Sequence, residues 1–480
     1  MKAGTTFKNE NSGEVSKTRD SSFFVLCAIG AVQGMDIQLL PACFRAMESE
    51  LGMSPSKLSL LVAAQGVAAA FAAPIWGALA DHGFSRKTIL MYGSMTWGCL
   101  TILLAGVNDL YSMLFIRIFN GVALGMLTPM VQSLVADEAA ESEIGASFGW
   151  IEFSNNLLGQ ASAMAFVTAV SNQYYLGYAG WRWAYVCVGV ASLVLSAMVN
   201  YFMREKAQAR VLGSFGAWRQ VERFGRYLYI PTFQVIVLQG VVGAIPGAAF
   251  TFNTLYLQYV GVSDYLAGVM AASFVIGAGF GCVLGGYIGD RLTAWSPNHG
   301  RALTAQISVL LGMPCIYSIY RVVPPQAEFW PLLTGLMFTT GVLACWCKTG
   351  CNQPVFLQIV SRQNRASAFS LEYGIEGMTS QMIGPVAVAF LSETLFGYRL
   401  AKQDIGSMSP ARKAANVYAL GSSLALCMIT PWVICFFIYG ALHFTYRHDV
   451  AVAAKSAKLA EDTPLYTDDT LVMAQKCAES

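Results

Sequence analysis

Long apolar runs separated by short polar turns dominate the chain from residue 22 onward. A helix needs roughly 20 mostly apolar residues to cross a bilayer, and each run is about that long. The runs do not alternate polar and apolar positions, as the strands of an outer-membrane barrel do. Because lipid offers no partner for free backbone groups, the runs are predicted to be helices. The pattern predicts twelve membrane-spanning segments, at 22–46, 57–80, 89–107, 110–135, 146–170, 181–203, 228–260, 264–288, 301–321, 329–351, 366–394 and 416–446.

Composition agrees with an all-α, multi-pass integral membrane protein. Hydrophobic residues make up 55% of the chain and charged residues only 12%, whereas soluble domains carry about 25% charged residues. The first apolar run continues past any plausible cleavage point, so a secretory signal peptide is not expected. The predicted parts are a cytoplasmic tail at 1–21, a six-helix bundle at 22–203, a cytoplasmic central loop at 204–227, a second six-helix bundle at 228–446 and a disordered cytoplasmic tail at 447–480.

Positive charges predict the orientation in the membrane. If both termini are cytoplasmic, most Lys and Arg residues fall in cytoplasmic tails and loops, as the positive-inside rule requires. The central loop contributes most, through Arg204, Lys206, Arg210, Arg219, Arg223 and Arg226. The loop between the last two segments runs against the trend, with Arg399, Lys402, Arg412 and Lys413 on the far side. We predict cytoplasmic termini, and the sequence does not distinguish the plasma membrane from an organelle.

A short phrase occurs once in each half of the chain. Gly77–His82 follows the second apolar segment and Gly286–Arg291 follows the eighth, and both begin G-x-x-x-D. A second echo places Glu152 and Glu372 at matching positions, each after an Ala-Ser pair. The repetition predicts two pseudo-symmetric six-helix bundles, the architecture of transporters that work by alternating access.

The chain resembles the major facilitator superfamily over nearly its full transmembrane length. The loop at 77–87 is similar to the family signature G-x-L-x-D-R-x-G-R-K, although His82 replaces the usual arginine and one extra residue precedes the basic pair. Arg117 with Gly121 and Gly125 resembles the R-x-x-x-G pattern of segment four, and the run at 180–183 resembles the G-W-R-W entry to segment six. The drug-antiporter pattern of segment five and the P-E-S-P-R phrase of sugar porters are missing.

Within the superfamily, one detail points to a sub-family. Met35-Asp36 in segment one, together with Arg117 in segment four, resembles spinster-like lipid transporters. The resemblance implies the twelve-helix fold of the superfamily and the activity of a secondary transporter.

The loop signature predicts a gate at the cytoplasmic mouth. Gly77 would let two helix ends approach closely, and Asp81 could cap a helix N-terminus. The resemblance implies that Asp81 latches the two halves, and Arg86 or Lys87 could then pair with Asp137 or Glu138. The alternative is that these charges only orient the protein in the membrane. The gating candidates are Gly77, Asp81, Arg86, Lys87, Asp137, Glu152, Gly286, Asp290, Arg291 and Glu372.

Charges predicted to lie inside the membrane are the candidates for substrate and proton binding. A charge at a helix centre costs about 2.5–3.5 kcal/mol on insertion scales, so each should face a cavity or a partner. Asp36, with Gln33 one turn earlier, could line the cavity and carry a proton, or could serve as a structural hydrogen-bonding group. Arg117 could hold a carboxylate or phosphate of the substrate, pair with Asp36, or act as a fixed strut.

The second half has its own candidates. Lys348 in segment ten shares a face with Asn352 on an α-helix, and Glu376 in segment eleven is its expected partner. Glu152 and Glu372 lie near the cytoplasmic ends of their helices, a depth that favours a gate. Polar amides could contact substrate or join helices. The binding candidates are Gln33, Asp36, Arg117, Asn156, Gln160, Gln239, Asn253, Lys348 and Glu376.

These features favour a secondary active transporter for a small organic solute, working by alternating access as a symporter or antiporter and driven by protons or a counter-solute. The alternative is a transporter-like receptor or scaffold that binds a solute or lipid without net transport. No nucleotide-binding loop or nucleophile–base pair appears, so we expect no enzyme activity, catalytic residue or cofactor. The cysteines at 345, 347 and 351 do not suggest a metal site, since 345 and 347 point to opposite sides of a helix. The expected partners are a small-molecule substrate, membrane lipid and protons but no nucleic acid, and the protein is expected to function as a monomer.

Overall fold

The computed structural model describes residues 10–81, 84–138, 150–203, 227–360, 365–400 and 405–462. Within these ranges the regular elements are helices and one small hairpin, in which strand β1 (Tyr174–Tyr175) pairs antiparallel with β2 (Tyr178–Ala179). Leu176 and Gly177 both have positive φ angles, 53° and 85°, as a two-residue hairpin turn of this kind requires. The predicted all-α fold class is confirmed.

The described part of the first half is built mainly from eight α-helices and one π-helical stretch. Each predicted segment of this half coincides with one or two of them. They are α1 (Glu10–Ala42), α2 (Phe44–Leu51), α3 (Pro55–Asp81), α4 (Arg86–Leu104), α5 (Leu110–Leu124), α6 (Leu127–Glu138), the π-helix Ser154–Ala161, α7 (Ser162–Ser171) and α8 (Gly180–Phe202).

The second half repeats this order with more interruptions. Its helices are α9 (Pro231–Gly243), α10 (Ile245–Ala249), a 3-10 turn (Phe250–Phe252), α11 (Asn253–Val260), α12 (Asp264–Trp295), α13 (Gly300–Tyr317), a π-helix (Ser318–Val322), a 3-10 turn (Ala327–Phe329), α14 (Trp330–Ala344), a π-helix (Lys348–Asn352), α15 (Gln353–Ile359), α16 (Arg365–Phe390), a π-helix (Leu391–Leu395), a 3-10 turn (Ile405–Ser407) and α17 (Pro410–Asp462).

The helices pack in two matching sets. In the first half α3 packs against α5 and α4 against α8, and in the second α12 packs against α14 and α13 against α17. The halves meet through α3 on α16 and through α12 on α7, which are equivalent pairs in the two bundles. The predicted pseudo-symmetry of the two bundles is therefore confirmed.

Every third predicted span is broken part-way along its length. The breaks separate α1 from α2, α5 from α6, α9 from α10, and α14 from the π-helix that begins at Lys348. In the seventh span, Pro246 lies just after the break, where a proline is tolerated in the first turn of a helix. Gly240, Gly243 and Pro246 are residues that weaken or interrupt a helix, and the break lies among them.

Nine helical stretches among the described residues are long and apolar enough to cross a membrane. The other three predicted spans coincide with α4, with the helix at 150–171 and with α16, all of which fall short of that standard. The count of twelve therefore remains a prediction.

The chain ends differ from the expectation of unstructured tails. Helix α1 begins at Glu10, inside the predicted N-terminal tail, and α17 continues to Asp462, inside the tail predicted to be disordered from residue 447. The central basic loop lies at 204–226, outside the described residues, so its boundaries stay a prediction.

Close helix contact explains one glycine of the segment-four pattern. A Cβ atom added to Gly121 would lie 2.3 Å from the carbonyl oxygen of Gln65 on α3. That distance is too short for any side chain, so glycine lets the backbones of α5 and α3 approach. In a membrane, where helices associate through packing, such small residues hold the bundle together.

Candidate functional site

Opposite charges from the two halves meet in the crevice between the bundles. The Nζ atom of Lys348 lies 3.6 Å from Oε1 of Glu152, and the two side chains are 55% and 58% exposed. Glu152 belongs to the first half and directly precedes the π-helix Ser154–Ala161, whereas Lys348 begins the π-helix Lys348–Asn352 of the second half. π-Helical turns are rare and are frequent at functional sites.

Two carboxyl groups lie beside this ion pair. Glu372 and Glu376, one turn apart on α16, lie close to each other and to Lys348. Both face α9, since a Cβ atom on Gly240 would lie 3.3 Å from Glu376 Oε2 and 3.5 Å from Glu372 Oε1. We call Glu152, Lys348, Glu372 and Glu376 the charged cluster.

The charged cluster revises the predicted pairing. Lys348 was expected to pair with Glu376, but the measured ion pair is with Glu152 in the opposite half. Asn352 was expected to share the face of Lys348, but its side chain accepts a hydrogen bond from Tyr439 at 3.0 Å. The reason is local: residues four apart align on an α-helix, whereas the π-helix at Lys348–Asn352 carries more residues per turn.

Amide side chains of the first half form a second polar group near the crevice. Nε2 of Gln160 donates to the Oδ1 atoms of Asn155 and Asn156, at 2.9 Å each. Gln38 on α1 donates to Gln160 Oε1 at 3.0 Å. The structure thus brings together the predicted residues Asn156 and Gln160 and adds Gln38, which the sequence analysis missed. Gln33, on the same helix, is partly buried.

Asp36 faces the interior of the first half and not the crevice. It is 3% exposed, and its carboxylate accepts hydrogen bonds from Gln65 Nε2 at 2.8 Å and Trp97 Nε1 at 3.0 Å. The prediction that Asp36 lines the cavity is therefore wrong for this conformation. The structural hydrogen-bonding role, left open by the sequence, is the one observed.

Arg117 is also enclosed within the first half. The side chain is 4% exposed, and its Nε donates to the carbonyl oxygen of Leu61 over 3.4 Å. Arg117 and Asp36 both belong to the described part of the chain, and no ion pair joins them there. Arg117 borders a small apolar cavity that is walled by Leu40, Met47, Leu61, Leu104, Met113 and Tyr185. It contacts no part of the crevice where substrate could reach it.

Gln239 and Asn253 join helices of the second half. The hydroxyl of Tyr439 bonds to Gln239 Oε1 at 2.6 Å, and Tyr320 donates to Asn253 Oδ1 at 2.8 Å. Both amides are buried. The structure supports the interhelical role and not the predicted contact with substrate.

The repeated phrase of the second half forms a contact within that half. Asp290 Oδ1 lies 2.8 Å from Arg301 Nη2, and Nη1 of the same arginine donates to the carbonyl of Gly350 at 3.1 Å. Arg291 stacks over the ring of Tyr287, with 5.0 Å between the guanidinium carbon and the ring centroid. The expected latch between halves is therefore not formed by Asp290 or Arg291 in this conformation.

The glycines of the two phrases are not needed for close packing. A Cβ atom on Gly77 would lie an ordinary 3.9 Å from Pro129, and one on Gly286 would meet no described atom within 4 Å. Among the described residues, no helix approaches Gly77 more closely than ordinary contact, and the predicted close approach stays a prediction.

The helix that follows the first phrase is capped by Ser85, and the capping role of Asp81 stays a prediction. Asp81 ends α3, and Ser85 caps α4 by accepting from the backbone of Thr88 at 3.1 Å. The side chains of Asp81 and Asp137 lie outside the described residues. The pairing of Arg86 or Lys87 with Asp137 or Glu138 therefore stays a prediction.

A family model and several relatives match this chain. The model described as Major Facilitator Superfamily matches residues 26–346. The chain belongs to the Major Facilitator Superfamily. Family membership confirms the resemblance that the sequence motifs predicted.

Among solved structures, a bacterial homologue of the human lysosomal transporter Spinster, inward-facing and unoccupied, is similar with a TM-score of 0.76 and 18% identity over 90% of this chain and 98% of that one. The nucleoside transporter NupG is similar with a TM-score of 0.63 and 13% identity, over 89% and 99% of the two chains. At these identities the likeness is one of fold, and the spinster-like resemblance is confirmed at that level.

Among relatives in sequence, the quinolone resistance protein NorA of Staphylococcus aureus is 26% identical over 180 residues, 37% of this chain. The multi-drug resistance efflux pump PmrA of Streptococcus pneumoniae is 20% identical over 290 residues, 59% of this chain and 69% of that protein. The match to NorA spans 42% of its length.

This superfamily member is closed at one end of the crevice, which we call the distal end. It is the end that carries α2 and the turns at 52–54, 172–179, 261–263 and 396–400. Every residue of α11 is buried there, as are the first five residues of α2. The rings of Phe44 and Phe252 lie 4.9 Å apart across the two halves. The sequence analysis placed its gate at the opposite end and missed this closure.

Proposed function

We propose that the protein is a secondary active transporter that moves a small organic solute by alternating access between its two halves. The observation that carries the proposal is the ion pair between Glu152 and Lys348, which joins the halves inside the crevice beside the carboxyl groups of Glu372 and Glu376. Buried or half-buried charges are expensive in a membrane and mark transport pathways and proton relays. A receptor or scaffold has no need for a charge pair that spans the moving interface.

The charged cluster supplies a way to couple protons to that movement. While Glu372 and Glu376 share a proton, they carry one negative charge between them, and Lys348 stays near Glu152. When the proton leaves, two charges on α16 compete for Lys348, and the contact between the halves weakens. Proton release and separation of the halves are thereby linked.

The same cluster favours a solute that carries a positive charge. With one shared proton, the three carboxyl groups and one ammonium group retain one net negative charge. A second proton or a cationic group on the solute would neutralise it. The sequence allowed Arg117 to hold a carboxylate or phosphate of the substrate, but Arg117 is enclosed, and Lys348 is outnumbered by carboxylates.

The proposal also includes the oligomeric state of the protein and its orientation in the membrane. One copy contains the whole crevice, so we propose that a monomer transports, surrounded by membrane lipid. The basic central loop supports cytoplasmic termini, which would make the distal end the non-cytoplasmic one.

The test begins with a thermal-shift screen of the purified protein against organic cations, zwitterions and anions, because a ligand of the native state raises its apparent stability. Uptake of a hit is then measured in proteoliposomes with and without a pH gradient. We expect gradient-driven uptake to be lost in Glu376→Gln while solute exchange without a gradient persists. Glu328→Gln, on the exposed turn before α14, is the matched control and should behave as the parent.

Three outcomes would contradict the proposal or part of it. Uptake that ignores the pH gradient in the parent protein would remove proton coupling. If Asp36→Asn abolished coupling while Glu372→Gln and Glu376→Gln did not, the proton site would be Asp36. Retained binding with no exchange at all would favour the receptor alternative.

A further inference from the structure

A buried carboxylate at the distal end connects the two halves. Glu48 on α2 is 0% exposed and forms an ion pair with Arg45 of the same helix at 2.9 Å. The hydroxyl of Tyr259, on α11 of the second half, lies 2.9 and 3.0 Å from its two carboxylate oxygens. Tyr398, which follows α16, also donates to Glu48.

The two tyrosines belong to one network. Their hydroxyl groups lie 3.0 Å apart, and their rings meet edge to face with centroids 5.9 Å apart. Arg45 stacks over the ring of Tyr259 at 5.3 Å and reaches its hydroxyl at 3.4 Å. Glu48 therefore has donors from both bundles, and all of its partners are enclosed between them.

Two weaker contacts flank this network, one at each junction between the halves. Glu393 accepts from the backbone nitrogen of Ser56 at 2.8 Å and from its hydroxyl at 2.6 Å, which holds the start of α3 against the end of α16. Asp264, at the start of α12, accepts from Asn172 at 2.9 Å, beside the end of α7. The junctions are equivalent by pseudo-symmetry, and Glu48 lies between them.

We propose that Glu48 is the hub of a distal latch, formed with Arg45, Tyr259 and Tyr398, that keeps the distal end closed while the charged cluster is open to solvent. The inference rests on the proposed alternating access and concerns the end of the crevice that the charged cluster does not reach. To open the distal end, Glu48 must leave both tyrosine hydroxyls. Charge-assisted hydrogen bonds in a dry site are among the stronger ones a protein makes, so the latch favours the closed state.

A matched control lies two residues along the same helix. Glu50 also accepts hydrogen bonds at the distal end, from Trp181 and Arg182, but both partners belong to the first half. Loss of its charge leaves every contact between the halves in place. Glu50→Gln therefore separates the latch from a general effect of neutralising a distal carboxylate.

The experiment measures the width of the distal end directly. Spin labels are placed at Tyr111, at the start of α5, and at Glu328, before α14, both of which are exposed, in a background without other reactive cysteines. We expect Glu48→Gln and Tyr398→Phe each to raise the ratio of distal-open to distal-closed molecules about tenfold, the size expected for one hydrogen bond to a charged group. Glu50→Gln should leave the distance distribution unchanged.

Unchanged distances in both Glu48→Gln and Tyr398→Phe would overturn the latch, as would an equal shift in Glu50→Gln. If Glu48→Gln does not fold, Tyr259→Phe and Tyr398→Phe carry the test, since they keep the buried rings and the carboxylate. The distances are measured without substrate. If the distal distances shift in a protein that shows no transport, the latch is supported and the proposed function is wrong. If the protein transports solute but the distances do not shift, only the latch is wrong.

Discussion

At the scale of single residues, the role of each polar group depends on the side chains that surround it. Asp36 and Glu376 are both acidic residues within predicted spans, and the sequence treats them alike. Asp36 is enclosed by Gln65 and Trp97, whereas Glu376 is partly exposed and meets a second carboxyl group. The same residue type is structural in one place and a transport candidate in the other.

The structural role of Asp36 predicts a loss of stability when its carboxylate is removed. Asp36→Ala leaves the Gln65 and Trp97 donors without their acceptor, and an unmet buried group costs about 1–3 kcal/mol. We expect a lower thermal unfolding temperature in detergent. Gln33→Ala, on the same helix, removes a partly buried side chain and serves as the comparison. Equal unfolding temperatures for the two variants would argue that Asp36 is not structural.

Two glycines on α12 give a second test at this scale. A Cβ atom on Gly277 would lie 2.2 Å from the carbonyl oxygen of Phe338, whereas one on Gly279 would meet no described atom within 4 Å. We expect Gly277→Ala to reduce stability by about 1–3 kcal/mol through overpacking. Gly279→Ala should be neutral or stabilising by up to ~1 kcal/mol, because alanine is the better helix former. Thermal unfolding of both variants checks the pair, and the opposite order would contradict the helix contact.

At the scale of elements, breaks in helices position the site. The π-helices at Ser154–Ala161 and Lys348–Asn352 occur next to the two residues that pair across the crevice. Apolar periodicity predicted where the spans lie but assumed regular α-helices. Hence it placed Lys348 and Asn352 on one face, although their side chains have different partners.

The start of α5 shows how a cap depends on pH. The backbone N–H of Ser112 donates to Asp109 at 2.8 Å, which holds the pKa of this exposed carboxyl below its ordinary value. A lowered folded-state pKa means that the cap stabilises the helix above the unfolded pKa, near 3.9, and that this contribution is lost as the pH falls through the folded pKa. We expect Asp109→Ala to lower the unfolding temperature at pH 7 and the difference from the parent to shrink below about pH 4. A difference that stays constant down to the lowest pH would contradict a charged cap.

At the scale of the whole molecule, the protein is closed at its distal end, and the charged cluster lies exposed within the crevice. The packing of α3 on α16 and of α12 on α7 forms the two junctions across which the halves must move. The distal latch and the charged cluster lie at different depths of the same crevice, so residues of one can be substituted without changing the contacts of the other.

Removing the ion pair between Glu152 and Lys348 is expected to reduce transport but not stability. An exposed ion pair contributes only about 0–1 kcal/mol, so Lys348→Gln should barely change the unfolding temperature. We expect it to reduce the rate of solute exchange in proteoliposomes at least about tenfold. An increase of about one kcal/mol or slightly more in the activation free energy has that effect. The exchanged pair Glu152→Lys with Lys348→Glu should recover part of the lost rate. Full activity in Lys348→Gln would exclude a role for the pair.

The sequence by itself determined the helical membrane fold, the two related halves and the family, because apolar length and repeated motifs are properties of the chain. It also identified Glu152, Lys348, Glu372 and Glu376 as charges that need an explanation. Only the tertiary structure decided which charges meet. Lys348 pairs with Glu152, and Glu48 with Tyr259 and Tyr398, across the interface between bundles, and such contacts depend on helix breaks and packing that no local pattern encodes. Burial likewise removed Asp36 and Arg117 from the crevice, because the side a helical residue faces depends on its neighbours in space.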